Sequence, residues 1–249
     1  MPLPRRLGTL TELWRFPVKS MRGESLASVR LNPQGLEADR EFAVTSTAAP
    51  AGKPLLSSAE RTAMLRYTAH AGPAPAVTTP AGLTLPLPSP GLLEALQAVA
   101  RPGADLRLET SPEDPFFDVR PVSLISTATL RALSEEFGAT VDPLRFRSNL
   151  VLALDEDEPF AEDRLTGSTL DFSHPDDLDD PTDLGPELRL LERIPRCRMV
   201  SLDPETTEAD PGLLRHLSRY HDGRVGIYAR VLQPGTLRCG QIVSLVQND

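Results

Sequence analysis

Apolar and polar positions alternate in many short runs along this chain and only rarely follow the period of a helix. Trp14, Phe16 and Val18 alternate at the end of a strand predicted over 10–18, and further strands are expected over 26–31 and 40–44. Asn32-Pro33-Gln34-Gly35 supplies the turn between the second and third. Leu83, Leu85 and Leu87 alternate among prolines, which lack a backbone donor, so this run predicts an edge strand. Ser89-Pro90 opens a helix that puts Leu92, Leu96 and Val99 on one face. A short strand around Leu106 and Leu108 then runs into the turn-rich Ser111-Pro112-Glu113-Asp114-Pro115, where the domain boundary is placed, dividing the chain into 1–115 and 116–249.

Beyond that boundary 122–125 reads as a strand, and Ser126 or Thr127 caps a helix with Leu130, Leu133 and Phe137 on one face and Gly138 at its end. Leu150, Leu152 and Leu154 alternate, and strands are expected over 188–191 and 198–202. Asp210-Pro211 opens a short helix through Leu213, Leu217 and Tyr220. Val225, Ile227, Ala229 and Val231 alternate without interruption, with Tyr228 on the opposite face, and Pro234-Gly235 leads to a last strand over 242–246. Many short strands beside three helices predict a mainly β fold with a few helices, built around a barrel.

Composition narrows the class. With 249 residues, 40% apolar and 24% charged, the chain is long enough for a large core and resembles ordinary globular proteins. No run approaches the roughly 20 apolar residues of a membrane span, and the first residues lead into no apolar signal core, so a cytoplasmic protein without a membrane partner is expected. A net charge of -9 argues against a nucleic-acid partner. The acidic runs 155–158 and 176–180 read most simply as solvated surface. Two cysteines, Cys197 and Cys239, are too few for a disulfide scaffold. The histidines, His70, His174, His216 and His221, have no spacing typical of a metal site. Phosphate-loop, serine-elbow and zinc-protease motifs are missing.

Four segments gather cations and small polar groups beside apolar strands: Pro17-Val18-Lys19-Ser20-Met21-Arg22-Gly23, Asp39-Arg40, Arg145-Phe146-Arg147-Ser148-Asn149 and Pro195-Arg196-Cys197-Arg198. Taken singly, Lys19, Arg40 and Arg147 are surface charges and Cys197 a small hydrophobe. Together they offer guanidinium forks, an ammonium, amide donors and one thiol, the groups that a phosphorylated, sulfur-bearing metal ligand requires.

Through these segments the chain resembles the MOSC family, which includes the C-terminal domain of molybdenum cofactor sulfurases and the mitochondrial amidoxime-reducing component. The opening Trp14-Arg15-Phe16-Pro17-Val18-Lys19-Ser20 with Gly23, Gly35, Leu36, Asp39 and Arg40 is similar to the family's smaller N-terminal β domain. Arg145 to Val151, Pro159-Phe160-Ala161-Glu162-Asp163, and Arg196-Cys197 followed by Asp203-Pro204-Glu205-Thr206 are similar to the β-barrel MOSC domain. Ser148 departs from the family's usual proline, and the acidic run 176–183 looks like an enlarged loop.

What the resemblance implies is a molybdenum cofactor (molybdopterin) with Cys197 as the metal ligand and catalytic residue. Lys19, Ser20, Arg40, Arg147, Asn149, Arg196 and Tyr228 fall where relatives contact that cofactor. Arginines on both sides of Cys197 favour the thiolate, which is the ligating form, and soft sulfur suits the metal. Ser126 and Thr127, at a helix start, are expected to help Arg147 hold the pterin phosphate. The leading expectation is a molybdenum oxidoreductase that reduces N-hydroxylated or similar small substrates, with electrons from a separate donor protein, since no flavin, haem or iron–sulfur motif is visible. The alternatives are a sulfur carrier bearing a persulfide on Cys197 and a non-catalytic storage module. No pyridoxal phosphate site is visible, which weakens full sulfurase activity.

Overall fold

The computed structural model describes residues 5–50, 52, 54–172 and 185–246. Lys53, His174 and the acidic run 176–183 lie outside the described residues. Three α-helices are present among them: α1 (Pro90–Gln97), α2 (Thr127–Phe137) and α3 (Pro211–Tyr220). Each begins where the sequence supplies a cap: Ser89 accepts from the Leu92 amide at 3.3 Å, Ser126 from Thr129 at 3.1 Å and Asp210 from Gly212 at 2.7 Å. Gly138, at φ 74°, ends α2 in the left-handed conformation.

Seven strands close into a barrel. Around the ring they are Arg5–Arg15, Leu150–Leu154, Val122–Ser126, Arg224–Gln233, Glu187–Pro195, Thr169–Asp171 and Ile242–Val246, the last pairing back to the first. Only Val122–Ser126 and Leu150–Leu154 run parallel, and α2 lies on the crossover between them. Leu124, Leu150, Leu152, Leu188, Ile227 and Ala229 fill the interior, while Ile125, Val151 and Val225 point outward into a second core shared with Leu133, Leu213 and Leu217 of α2 and α3. The period-two alternation thus serves both faces of the same strands.

The first strand departs from simple alternation, for its buried Leu7, Leu10 and Leu13 are three residues apart. Register shifts between Arg6 and Gly8 and between Leu10 and Glu12 insert the extra residues that turn all three inward. At Gly8 a Cβ would lie 2.1 Å from the Ala153 carbonyl oxygen, so the close approach of these strands requires glycine.

A smaller β body packs beside the barrel. Phe42–Ser46 pairs with Leu106–Thr110, and Thr68–His70, Ala76–Thr78 and Thr84–Pro86 form a three-stranded sheet with the last at its edge, as its prolines predict. Its core gathers Val18, Met21, Val44, Met64, Leu92 and Leu96. The division of the sequence at 115 is not a division in space. Residues 5–15 are a barrel stave, and Gly235–Arg238 pairs with Ser28–Asn32.

One local reading changes. The segment expected as a strand over 198–202 is a 3-10 turn, Arg198–Ser201, with Val200 and Leu202 amides bonded to the Cys197 and Met199 carbonyls. Pro195 ends the preceding strand, and the turn still buries Val200 and Leu202. The acidic run 155–158 is exposed, as expected, and forms surface pairs with arginines: Asp155 with Arg6, Glu156 with Arg5, Asp157 with Arg131 and Glu158 with Arg164. Among the described residues no helix is long and apolar enough to cross a membrane.

Candidate functional site

Between the barrel and the smaller body lies a cleft of about 400 Å³ that draws its walls from both. It brings together Lys19, Ser20, Arg40, Arg147, Arg196, Cys197 and Tyr228, seven of the residues singled out from sequence. Arg145 lines it as well, so five cations face one carboxylate, that of Asp118. In a chain of net charge -9 this is a local inversion of sign, and it favours an anion. Another hollow, of about 290 Å³ beside Arg5, Arg164 and Leu165, contains no thiol.

The cationic wall rests on a buried polar chain. Asn149, 1% exposed, accepts from the Ser123 amide and hydroxyl at 3.2 and 3.0 Å and donates to the Trp14 carbonyl and to Asp39. Asp39, fully buried, accepts from the Phe16 amide at 2.7 Å, from Asn149 and from the Arg40 guanidinium. Asn149 therefore sits beneath the cleft with its amide group engaged by protein, and it acts on Arg40 through Asp39. Its placement corrects the expectation that it contacts a cofactor directly.

Aromatic faces support the arginines. The Phe16 ring lies under both Arg40 and Arg147, at 4.9 and 4.2 Å, and Phe146 lies 5.1 Å from Arg196. Arg147 also donates to the Met21 carbonyl at 2.6 Å. Ser20, Arg40 and Arg147 all adopt positive φ, at 71°, 57° and 50°, conformations that cost non-glycine residues about 1–3 kcal/mol each. Strain collected at three facing positions is the pattern of a built binding wall.

Burial is the main pressure on two of these charges. It pushes Arg147 down to about 9, helped by the like charge of Arg40 and opposed by Asp39 and Asp118. It pushes Arg196 down to about 10, against the influence of Tyr228 and Cys197. Arg196 donates to the carbonyls of Val225 at 2.8 Å and Phe146 at 2.9 Å, but its Nη2 is buried without a hydrogen-bond partner among the described residues. Room for that guanidinium comes from Gly226, where a Cβ would stand 3.0 Å from Nη2.

Lys19 donates to the Phe116 carbonyl at 2.7 Å and to Asp118 at 2.6 Å. Burial opposes ionisation of Asp118, yet Lys19, then Arg40 and Arg147, outweigh it and hold the carboxyl below its ordinary value. For Tyr228 burial prevails over Arg196 and raises the phenol. Cys197 is exposed and free at the cleft. Cys239 is exposed as well, with its thiol donating to the Leu26 carbonyl at 3.3 Å.

Ser126 and Thr127 are not part of the cleft, which corrects the expectation that they hold a phosphate. The start of α2 already has an anionic partner in Glu162, 1% exposed, which accepts from the Ser126 amide at 3.0 Å, the Ser126 hydroxyl at 2.8 Å and the Thr129 hydroxyl at 2.9 Å. Ser126 itself is fully buried. Asp118, Ser57, Ser58 and Met199 line the cleft without having been recognised from sequence. Each stands in a loop or turn where no periodicity marks it.

A closed barrel joined to a smaller β body across a cationic, thiol-bearing cleft defines the class of the fold. Residues 89–244 match the MOSC domain and residues 7–73 the MOSC N-terminal beta barrel domain, and the chain belongs to the MOSC domain family. It is 27% identical over 143 residues to the molybdenum cofactor sulfurase of Caenorhabditis briggsae, covering 55% of this chain and 18% of that protein. With the Caenorhabditis elegans protein of the same name it shares 31% over 133 residues, covering 50% and 16%. The chain thus spans less than a fifth of the length of these relatives. The YUAD protein of Bacillus subtilis shares the fold, with a TM-score of 0.54 and 15% identity over 99% of this chain and 100% of that one.

Proposed function

We propose that the cleft binds a molybdenum cofactor and that the protein is a molybdenum-dependent oxidoreductase acting on small N-hydroxylated or similar substrates. The observation that carries this reading is the convergence of an exposed thiol, Cys197, with Lys19, Arg40, Arg147 and Arg196 in one cleft. The donor set fits the group: the unpartnered Nη2 of Arg196 offers a hydrogen bond, and the buried guanidiniums gain from a neutralising anion. Cys197 would ligate the metal, Arg147 and Arg196 would hold the phosphate end, and Lys19 and Arg40 would orient the pterin. When bound, the cofactor supplies the two-electron redox chemistry.

The chain's own residues bind, orient and shield. Asp118 holds Lys19 in place and yields it to an incoming anion. Tyr228, Val119 and Pro195 are shared between the cleft and an adjoining hollow of about 430 Å³, the space for a small substrate. A separate protein would donate electrons.

The exposure of Cys197 and the likeness to proteins named molybdenum cofactor sulfurase favour a second reading, a carrier with a persulfide on Cys197. Metal analysis of protein made in a host that synthesises the cofactor separates the two. Stoichiometric molybdenum that is lost in Cys197→Ala is the expected result; metal-free protein with cyanide-labile sulfur on Cys197 favours the carrier and overturns the first reading.

A further inference from the structure

Away from the cleft, the side chains of Glu136, His216 and His221 converge. The three ligand atoms lie within 4.8 Å of one another, with His216 Nε2 at 3.0 Å and His221 Nε2 at 2.6 Å from the same carboxylate oxygen, Glu136 Oε2. We propose that these residues bind one divalent transition-metal ion of the zinc class, clasping α2 to α3.

The donor chemistry selects the ion. Two imidazoles and a carboxylate suit zinc, which takes nitrogen and oxygen ligands at about 2.0–2.2 Å and leaves a fourth position for water. In a tetrahedral shell of that radius the ligand atoms stand about 3.3 Å apart. The contacts at 3.0 and 2.6 Å need open by less than 1 Å, and the remaining separation, within 4.8 Å, needs close by up to about 1.5 Å, to admit the ion.

The surroundings hold the rings in this pose. Phe160 stacks on His221, with centroids 4.5 Å apart and planes 28° apart, Phe137 meets His216 edge-on at 6.1 Å, and Tyr220 lies 4.8 Å from His216. The histidine side chains are 15% and 12% exposed, so both rings are largely withdrawn from solvent. The His221 carbonyl accepts from the Arg224 amide at 2.9 Å and from Arg193 at 3.3 Å, fixing the backbone just where it leaves α3. Fixed rings spare the entropy of assembling the ligands.

The placement also has a mechanical meaning. Glu136 belongs to the last turn of α2, His216 to α3 and His221 to the residue after it. Packed against α3 is the turn Arg198–Ser201 that follows Cys197, so a clasp on α3 steadies the backing of the cleft without entering it.

The test is calorimetric titration of the metal-stripped protein with Zn2+, beside His216→Asn, His221→Asn and the double variant Cys197→Ser, Cys239→Ser. The expected result is one zinc ion bound by the wild type and by the cysteine variant. Each histidine variant should weaken it by more than the roughly 10–100-fold that loss of an outer partner causes. Absence of binding, or binding lost with the cysteines and kept without the histidines, overturns the proposal. Should a histidine variant fail to fold, X-ray absorption of the zinc-loaded wild type decides: two imidazoles without sulfur support the site, and a sulfur ligand or an all-oxygen shell refutes it.

Discussion

Replacing Glu162 by alanine removes one side chain that accepts three buried hydrogen bonds at the start of α2. The hydroxyls of Ser126 and Thr129 each have a single proton and lie 2.9 Å apart, so one of the two keeps the other as an acceptor once Glu162 is gone. Their lone pairs in turn accept from the Thr129 amide at 3.1 Å and the Phe160 amide at 2.8 Å. Alanine leaves the Ser126 amide without an acceptor in a site that water does not reach. Two bonds lost outright at about 1 kcal/mol net, with a further cost of about 1–2 kcal/mol for the stranded donor, give a loss of roughly 3–4 kcal/mol. At about 2–4 °C per kcal/mol for a chain of this size, the thermal midpoint should fall by roughly 6–16 °C. Glu162→Gln keeps one accepting oxygen and should fall by about half as much. Thermal unfolding followed by circular dichroism checks this, and a drop below about 2 °C in Glu162→Ala would refute the assignment of Glu162 as the anion that caps α2.

Gly226→Ala puts a Cβ 2.7 Å from the Leu124 carbonyl and 3.0 Å from Arg196 Nη2 at a φ of 73°, and urea unfolding should show a loss of at least about 2 kcal/mol. Ser148→Ala removes a buried hydroxyl with no hydrogen-bond partner among the described residues and should raise stability by about 1 kcal/mol in the same assay. The Asp203 carboxyl is held below its ordinary value chiefly by the Thr206 amide, against some burial, with help from Glu205 and Arg145. Because its folded value is depressed, the stabilisation is present above the usual carboxylate range near about 4 and lost as pH falls through the depressed value. Asp203→Asn should therefore lower the thermal midpoint at pH 7 and converge with the wild type in acid.

The legible parts of the fold were those that local chemistry dictates. Ser89, Ser126 and Asp210 cap helices because each offers an oxygen to an orphan amide, and the alternation of Val225, Ile227, Ala229 and Val231 marks a stave whatever its neighbours are. Closure of the barrel by residues 5–15 was not legible, since it pairs residues some 140 positions apart and its leucines follow a period of three imposed by bulges. The cleft was read from charge and resemblance, and Cys197, Lys19, Arg40, Arg147 and Arg196 do meet there. Asp118 escaped because a lone acid in a loop has no pattern. His216 and His221 escaped for a geometric reason: five residues apart on an ideal helix they would face away from each other, and they meet only because His221, at φ -131°, leaves the helical path.

The stave from residues 5–15 also governs how the molecule can be cut. Without it, Leu150–Leu154 and Ile242–Val246 would each present a bare row of amides and carbonyls, two adhesive rims facing an open interior of leucines. A fragment starting after residue 115 is thus a ring with a missing plank, destined to aggregate or to capture a substitute strand, and the whole ring can set only when distant stretches of the polymer have met.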